Sequence, residues 1–300
     1  MLVLDRPRDT DIHTLADFAE LLCLLTIDRV CSRETISDQI HDMADKKLKP
    51  HELDDCFNQI AWRVEAFGDK YPFTLDEGRR ILSAPEVLPD SKKPYVLLLL
   101  CANLPFFDRD RLDGSLTDAF ERFSLLAMRS IFPVGANIRA FGKNETDYVG
   151  QKWERINTLA QDIGARGVCT PATFRQRDVG DGGIDLVGWL TLDPYEGRNI
   201  PSALGQCACS RSDWPKKQSD IGRDRLAYHI VPTHPWMQMI FIPHSFRDNN
   251  GVWAFDGEIG SSLVFDRLRI ASSFNFDKDW AAVEPPPILA EFLDKRLDLV

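Results

Sequence analysis

Hydrophobic residues in the first half of the chain recur at steps of three or four positions. From Ile12 to Val30, for example, Leu15, Phe18 and Leu22 fall on one face of a helix. The apolar run Tyr95–Ala102 is interpreted as helix rather than strand because Leu dominates it. The same spacing predicts further helices at Thr35–Ala44, His51–Phe67, Thr74–Ile81 and Leu116–Ile131. Residues 1–146 are therefore expected to form a mainly α-helical N-terminal domain.

After residue 146 the pattern changes to a mixture of helices and strands. Trp153, Ile156 and Leu159 share one face of a predicted helix at Tyr148–Gly164, and Trp214–Leu226 is predicted to be a second helix. Short apolar or alternating runs predict strands at Val168–Phe174, Ile184–Leu192, Ala203–Cys209 and Met237–Ile242. The resulting order, α-β-β-β-α-β, predicts an α/β domain over residues 147–300.

A further strand is predicted near the C-terminus, at Phe265–Ile270. Arg267 and Arg269 alternate with apolar neighbours there, which is typical of an edge strand with a basic outer face. Such a face could contact phosphate. An ion pair of these arginines with Asp266 is an equally good interpretation.

The composition is that of a folded protein with an acidic balance. Hydrophobic residues make up 44% of the chain and charged residues 27%, as in ordinary globular domains. The net charge of -10 argues against a protein that binds nucleic acid by electrostatics alone, because such binding relies on many Lys and Arg contacts to phosphate. A divalent-cation site needs carboxylates, however, so the acidic balance does not exclude a nuclease.

The sequence predicts a cytoplasmic protein without a membrane partner. The first ten residues contain four charges and no apolar run of the kind that a secretory signal has. The longest apolar stretch, Tyr95–Ala102, is far shorter than the roughly 20 residues of a spanning helix. An odd number of cysteines, seven, indicates reduced thiols. The one close pair, Cys207 and Cys209, is interpreted as two small buried hydrophobes, because a zinc site would need a second pair.

Polar residues at the ends of two predicted strands form the candidate site. Side chains alternate along a strand, so Gln206 points to the face opposite Cys207. If the Ile184–Leu192 strand pairs with Ala203–Cys209 as a hairpin, Asp185 can lie across from Gln206. Carboxylate and amide oxygens are hard ligands that suit Mg²⁺. The pattern therefore predicts a magnesium site at this end of the hairpin.

Three features of the second half follow one another in a recognisable order. They are a helix that contains Glu154, the run G-D-G-G-I-D at Gly180–Asp185, and the run L-G-Q-C-A at Leu204–Ala208. This arrangement resembles the PD-(D/E)XK nuclease superfamily, close to its Mrr-like restriction endonuclease branch, over about Asp147 to Ile242. The resemblance implies a restriction-endonuclease-like αβββαβ core with a central mixed sheet.

The resemblance also implies a set of site residues. Asp185 would bind Mg²⁺ (or Mn²⁺), with the Gln206 side chain and the backbone carbonyl of Cys207 beside it, and Glu154 would support the site. The chain departs from the family pattern at Ala208, which stands where the family has a lysine. That lysine stabilises the charge that builds on the phosphate, so its absence puts activity in doubt.

The resemblance implies a replacement for the missing cation, because some members of the superfamily supply the ammonium from the next helix. Trp214-Pro215-Lys216-Lys217 opens the predicted helix that follows the strand. Lys217 is the first choice for this role. Lys216 is the second, because an error of one residue in the helix start would exchange the two.

Each of these residues also has a structural interpretation. Asp185 could be a turn residue after two glycines. Glu154 and the lysine pair could be solvated helix residues. Asp178 and Asp181 are interpreted as loop residues that could approach a metal.

The function expected from the resemblance is metal-dependent hydrolysis of DNA, in a setting of bacterial restriction or anti-phage defence. One alternative is a catalytically degenerate nuclease fold that serves as a nucleic-acid-binding or assembly module, which Ala208 and the acidic balance favour. A second alternative is RNA cleavage by the same chemistry. A protein partner or a homo-oligomer is compatible with each of these functions.

Overall fold

The computed structural model describes residues 4, 7, 11–44, 47–107, 114–142, 146–175, 180, 182–273 and 275–297. Within this part of the chain, no helix is long and apolar enough to cross a membrane. The chain divides into two units. The first comprises Met1–Phe120, Pro243–Asp256 and Asn275–Val300, and the second comprises Glu121–Ile242 and Gly257–Phe274. The predicted domain boundary between residues 146 and 147 falls inside the second unit.

Helices dominate the N-terminal part, and strands and helices alternate after it. In chain order, the structure begins with α1 (Ile12–Leu25), β1 (Val30–Ser32), α2 (Arg33–Ala44), α3 (Pro50–Phe67), β2 (Thr74–Leu75), β3 (Ile81–Ser83), α4 (Lys93–Ala102) and α5 (Ser115–Ile131). It continues with β4 (Asn137–Ala140), α6 (Lys152–Asp162), β5 (Arg166–Gly167), β6 (Leu186–Trp189), β7 (Ser202–Cys207), α7 (Trp214–Lys217), α8 (Arg223–Leu226), β8 (Ile230–Val231), β9 (Met237–Phe241), β10 (Leu263–Phe265), α9 (Arg267–Ser272), α10 (Phe276–Asp279) and α11 (Pro287–Asp294). Helices α1 to α6 confirm six of the predicted helices, with ends that differ by a few residues.

The segment Thr74–Ile81 is not the helix that the periodicity predicted. β2 and β3 pair antiparallel across a tight turn. The Asp76 carboxylate accepts hydrogen bonds from the backbone N–H groups of Arg80 and Ile81, both at 2.6 Å. An Asp side chain that bonds its neighbouring backbone offers an alternative to helical hydrogen bonds. This local turn chemistry overrides the spacing of the apolar residues.

A buried network of charged and polar groups joins α1 to α3 in the first unit. Nη1 of Arg63 donates to both Asp17 and Glu20, at 2.7 Å each, and all three side chains are fully buried. The hydroxyl of Tyr71 donates to Glu20 at 2.7 Å, and that of Tyr95 donates to it at 3.0 Å. Buried charges need this degree of compensation, because desolvation of an unpaired ion costs several kcal/mol, on the order of the stability of a domain.

The second unit is built on a mixed five-stranded sheet with the order β10-β9-β7-β6-β4. The pairs β4–β6 and β6–β7 are antiparallel, whereas β7–β9 and β9–β10 are parallel. The α/β class and the mixed central sheet are therefore confirmed. β4 was not predicted, since its four residues include one strongly apolar side chain, Ile138, and no readable alternation. On one face of the sheet, Val187 and Leu204 share a hydrophobic core with Ile156 and Leu159 of α6.

Two predicted elements of the second unit differ from the structure. The strand predicted at Val168–Phe174 is wrong: β5 ends at Gly167, and a turn closes further on, where the Thr173 N–H donates to the Thr170 carbonyl. The helix predicted at Trp214–Leu226 is interrupted between α7 and α8. Gly222 donates its N–H to Ser219 in the turn that separates the two short helices.

The strand predicted at Phe265–Ile270 is also wrong for most of its length. β10 ends at Phe265, and the Asp266 carboxylate accepts the Arg269 N–H at 3.1 Å as the N-cap of α9. Asp is a strong N-cap residue, and it starts the helix at this point. Arg267 is buried, and Arg269 donates to the Val264 carbonyl at 2.7 Å. The two arginines therefore do not form the basic outer face of an edge strand.

The Arg63 network predicts a large effect on stability. Arg63→Met should lower the free energy of unfolding by about 3–5 kcal/mol, because it leaves two buried carboxylates without their shared cation. Arg80→Met is the matched control: Arg80 pairs with Glu34, and both side chains are more than half exposed, at 64% and 62%. This control should cost less than about 1 kcal/mol. Urea unfolding at pH 7 measures both, and equal costs would contradict the assigned role of the network.

Candidate functional site

The candidate site lies where β6 begins and β7 ends. Leu186 pairs with Gly205, and the Asp185 N–H donates to the Gly205 carbonyl at 2.9 Å. Asp185 and Gln206 are therefore the next residues along the pair and share a face of the sheet. The structure brings them into hydrogen-bond contact, as the predicted hairpin requires, and both are 5% exposed.

Two glycines lead the chain into this position. Gly182 and Gly183 have φ values of 77° and 86°, a region that residues with a side chain rarely adopt. A Cβ atom on Gly183 would lie 2.6 Å from the Cβ of Asp220, so the turn packs closely against the segment after α7. Asp178 and Asp181, which were interpreted as loop residues that could approach a metal, lie outside the described residues.

The amide of Gln206 bridges two oxygens. Its Nε2 donates to Asp185 Oδ2 at 2.8 Å and to the Cys207 carbonyl at 3.3 Å. The Cys207 N–H donates to the same Asp185 oxygen at 2.6 Å. Among the described residues, the Gln206 Oε1 atom is buried and has no hydrogen-bond partner. A buried acceptor without a partner costs about 1–3 kcal/mol, so it needs an explanation.

A flip of the Gln206 amide would turn this corner into a set of oxygen donors that could hold a divalent cation. The oxygen and the nitrogen of a side-chain amide exchange positions when the amide flips. After such a flip, Oε1 would take the place of Nε2 beside Asp185 Oδ2 and the Cys207 carbonyl, so that three oxygens would converge. Oxygens brought together in this way repel one another unless a cation lies between them. The donor set, a carboxylate, an amide and a backbone carbonyl, is of the type that Mg²⁺ prefers.

Charged side chains surround the end of β7. Burial raises the pKa of the Cys207 thiol, and the negative charges of Asp185 and Glu121 raise it further. The same thiol contacts the buried hydroxyl of Ser124 on α5. Burial raises the pKa of Cys209 to about 12, and the positive charge of Lys217 opposes the shift, while Glu121 and Asp185 add to it. Asp185 and Glu121 thus influence both thiols at the end of β7, and Lys217 influences Cys209.

The structure distinguishes the two candidate lysines. Lys217 is half-buried and its charge acts on Cys209, whereas Lys216 is exposed. Ala208, at the position where the resemblance places a lysine, is fully buried and donates its N–H to the Phe241 carbonyl at 2.9 Å. Of the two lysines, Lys217 is the one whose charge acts on a thiol near the end of β7, and its catalytic role stays a prediction.

Two helix acids differ in their relation to the candidate site: Glu154, which was predicted to support it, and Glu121, which was not predicted. Glu154 is exposed at the N-terminus of α6, where its carboxylate accepts the Gln151 N–H at 2.7 Å in a capping box. The described hydrogen bonds do not bring it to Asp185, so its role in the site stays a prediction. Glu121 of α5 acts on both thiols near Asp185. Sequence reasoning missed it because β4 was missed, and α6 was then taken as the helix that precedes the sheet.

Within the described part of the chain, no three His, Cys, Asp or Glu side chains come together as a metal site. The candidate ligand set relies instead on an amide and a backbone carbonyl. Comparison of the chain with models of known families, with curated proteins and with solved structures finds no match. The chemistry of the site must therefore be argued from its own residues.

The reactivity of Cys209 reports on the charges of the site. All other cysteines are buried, so iodoacetamide should modify Cys209 first. Because the Cys209 pKa is about 12 rather than the usual 9.0, the thiolate fraction near neutral pH should be about a thousandfold below that of an ordinary thiol, and it should rise about tenfold per pH unit. Lys217→Ala removes a charge that lowers this pKa, so alkylation should slow. Asp185→Asn removes a charge that raises it, so alkylation should accelerate.

Mass spectrometry of Cys209 across pH 7 to 9 measures these rates, and Lys216→Ala serves as the matched control. A titration of Cys209 near about 8.5, the value of a free thiol, would contradict the placement of these charges. So would equal rates in the Lys217→Ala and Lys216→Ala variants.

Proposed function

We propose that the second unit is a divalent-cation-dependent nuclease that hydrolyses phosphodiester bonds of DNA. The observation that carries the proposal is the buried, unpartnered Oε1 of Gln206, whose amide already bridges Asp185 Oδ2 and the Cys207 carbonyl. Asp185, Gln206 and the carbonyl of Cys207 would hold Mg²⁺ or Mn²⁺.

The order of elements supports this proposal. α5, β4, β6, β7, α7 and β9 occur along the chain in the order α-β-β-β-α-β, with two antiparallel pairs followed by the parallel pair β7–β9. This order is compatible with the restriction-endonuclease-like core that we propose, although α8 and β8 lie between α7 and β9. α6 and β5 then stand between the first and second strands of the core.

Each side chain of the proposed site has a distinct task. A bound divalent cation would supply Lewis-acid stabilisation of the negative charge on the phosphate. The ammonium of Lys217, which acts on Cys209 next to the site, would offset the charge that develops on the phosphate oxygens during attack. The carboxylate of Glu121 would accept a hydrogen bond from the attacking water and orient it. The neutral thiols of Cys207 and Cys209 have no part in the chemistry.

A catalytically degenerate fold is the second candidate function. Ala208, fully buried in the position where the resemblance places a lysine, is the observation that favours it. In that case the unit would bind nucleic acid or a protein partner, or assemble with other copies of the chain, without cleaving a bond. RNA is the alternative substrate within the same chemistry, and restriction or anti-phage defence is the proposed setting.

Removal of the carboxylate charge tests the proposal. Asp185→Asn keeps an oxygen that can accept the Cys207 N–H but removes the negative charge, so cleavage of plasmid and linear DNA in Mg²⁺ or Mn²⁺ should fall by at least about a hundredfold. EDTA should abolish cleavage by the parent. Mg²⁺ should raise the melting temperature of the parent but not of the variant, because a ligand that binds only the folded state stabilises it.

Asp193→Asn is the matched control, since the Asp193 carboxylate accepts the N–H groups of Tyr195 and Glu196 in an exposed loop. A second pair, Glu121→Gln and Glu154→Gln, compares the two helix acids, and only Glu121→Gln should slow cleavage. Cleavage at the parental rate by Asp185→Asn, or in EDTA, would overturn the proposal.

The lysine variants separate the active fold from the degenerate one. Lys217→Ala should lose about 10²–10³ in rate while Mg²⁺ still raises its melting temperature, because lysine stabilises charge but does not bind the cation. Lys216→Ala should cleave like the parent. Ala208→Lys added to Lys217→Ala should restore part of the rate by returning the ammonium to the strand. An inert parent that gains cleavage from Ala208→Lys alone would instead establish the degenerate fold.

A further inference from the structure

A cleft of about 680 Å³ opens in the second unit. It is lined by α7 and α8, by the loop Gly257–Ser261 and by Gln238 of β9. Gln206 pairs with Ile240, and Gln238 precedes Ile240 by two residues, so Gln238 faces the same side of the sheet as Gln206. The cleft is therefore on the sheet face that carries Asp185.

The cleft is tied directly to the helix that carries Lys217. Gln218, the residue after Lys217, accepts the Gly260 N–H at 2.9 Å and donates to the Glu258 carbonyl at 2.7 Å. A Cβ atom on Gly260 would lie 3.2 Å from Oε1 of Gln218, so this contact leaves little room for a side chain there. The Gln218 amide thus connects α7 to the loop Gly257–Ser261, which forms another wall of the cleft.

The two arginines that line the cleft differ, because one forms an ion pair and the other forms none among the described residues. The guanidinium of Arg225 is paired with Asp220. Arg223 is exposed, and the described residues give its guanidinium no hydrogen-bond or ion-pair partner. Asp224 and Glu258 also line the cleft, so the lining as a whole is not basic. A long stretch of phosphate backbone does not suit such a lining, whereas a single phosphate beside Arg223 does.

The remaining polar groups suit the edge of a nucleobase. The Oε1 atom of Gln238 is 3.4 Å from the hydroxyl of Ser261, and no described residue takes up its Nε2. Amide, carboxylate and hydroxyl groups are those that proteins use to bond base edges. Pro215 and Ile259 supply apolar surface in the same cleft. One unpaired guanidinium next to this surface matches a phosphate attached to a base.

We propose that this cleft is a nucleotide subsite, which takes one unstacked nucleotide of the strand that flanks the cleaved bond. Arg223 binds its phosphate, and Gln238 with Glu258 contacts the edge of its base. This inference rests on the proposed nuclease function and adds the part of the substrate that the second unit recognises. Removing a base from the stack costs free energy, which a single strand or a damaged duplex has already lost. The subsite therefore favours single-stranded or frayed substrate.

Binding of labelled single-stranded DNA and RNA homopolymers, measured by fluorescence anisotropy in EDTA, tests the subsite without cleavage. Arg223→Ala should weaken binding of every homopolymer by about tenfold. It should also reduce the slope of log K against log salt by about 0.7, the contribution of one phosphate contact on a single strand. Arg198→Ala is the charge-matched control, because Arg198 is 69% exposed, pairs with Glu196 and lies outside the cleft lining. It should change neither quantity.

Two further variants separate the base contact from the phosphate contact. Gln238→Ala should change the ratio of affinities among the four homopolymers by about tenfold while leaving the salt slope unchanged. Gly257→Trp should block the cleft and weaken binding of all of them, and the fold can accept it, because a Cβ on Gly257 meets no atom within 4 Å. A parent that binds no homopolymer, or parental affinity in both Arg223→Ala and Gly257→Trp, would overturn the subsite.

These outcomes are independent of the cleavage tests. Loss of cleavage in Asp185→Asn with parental binding in Arg223→Ala would leave the nuclease proposal standing and remove the subsite. Binding that depends on Arg223 and Gln238 in a protein that cleaves nothing would keep the subsite and remove the nuclease.

Discussion

The antiparallel register of β6 and β7 is the constraint on which the candidate site depends. Leu186 pairs with Gly205, and this register brings Asp185 across from Gln206. A slip of one residue would send one of these side chains to the opposite face, because side chains alternate along a strand. A Cβ atom on Gly205 would approach Leu186 and the ring of Phe241 to 3.1 Å each, so glycine lets the three strands pack this closely. The absence of a side chain at Gly205 thus permits the strand packing that positions the Gln206 amide.

The two units compensate buried acids in different ways. In the first, the guanidinium of Arg63 and two tyrosine hydroxyls surround Glu20, so the charge is balanced by an opposite charge and by donors. In the second, the carboxylate of Asp185 accepts from the amide of Gln206 and from the backbone of Cys207, which are neutral donors. The amide spends its donor end on this contact and keeps its oxygen unpaired. The first arrangement balances the buried acid with an opposite charge, whereas the second uses neutral donors and leaves the buried Gln206 oxygen without a partner among the described residues.

Local patterns predicted the helices and the central pair of site residues, and long-range packing decided the rest. A period of 3.6 residues can be recognised within one segment of sequence. At Thr74–Ile81, however, the Asp76 side chain accepts hydrogen bonds from the backbone, and a turn forms in place of the predicted helix. Asp185 and Gln206 were predictable because one hairpin and strand alternation suffice to bring them together. Glu121 was not, because its position depends on α5 meeting the end of β7, two elements about 80 residues apart whose contact no local spacing encodes.

Because α7 is short, its position depends on contacts outside the helix, and under the proposed function these contacts would link Lys217 to the bound substrate. A helix of four residues contributes little to its own stability, since nucleation of the first turn is unfavourable. Its position is determined instead by the buried ring of Trp214 at one end and by the contacts of Gln218 with the loop Gly257–Ser261 after the other. Lys217 lies between these two anchors. Under the proposed function, a nucleotide held in the cleft would restrain that loop, and through Gln218 it would also restrain the ammonium of Lys217. The proposed catalytic lysine would then be positioned by the same wall that would hold the substrate, which a lysine on the rigid strand at position 208 would not be.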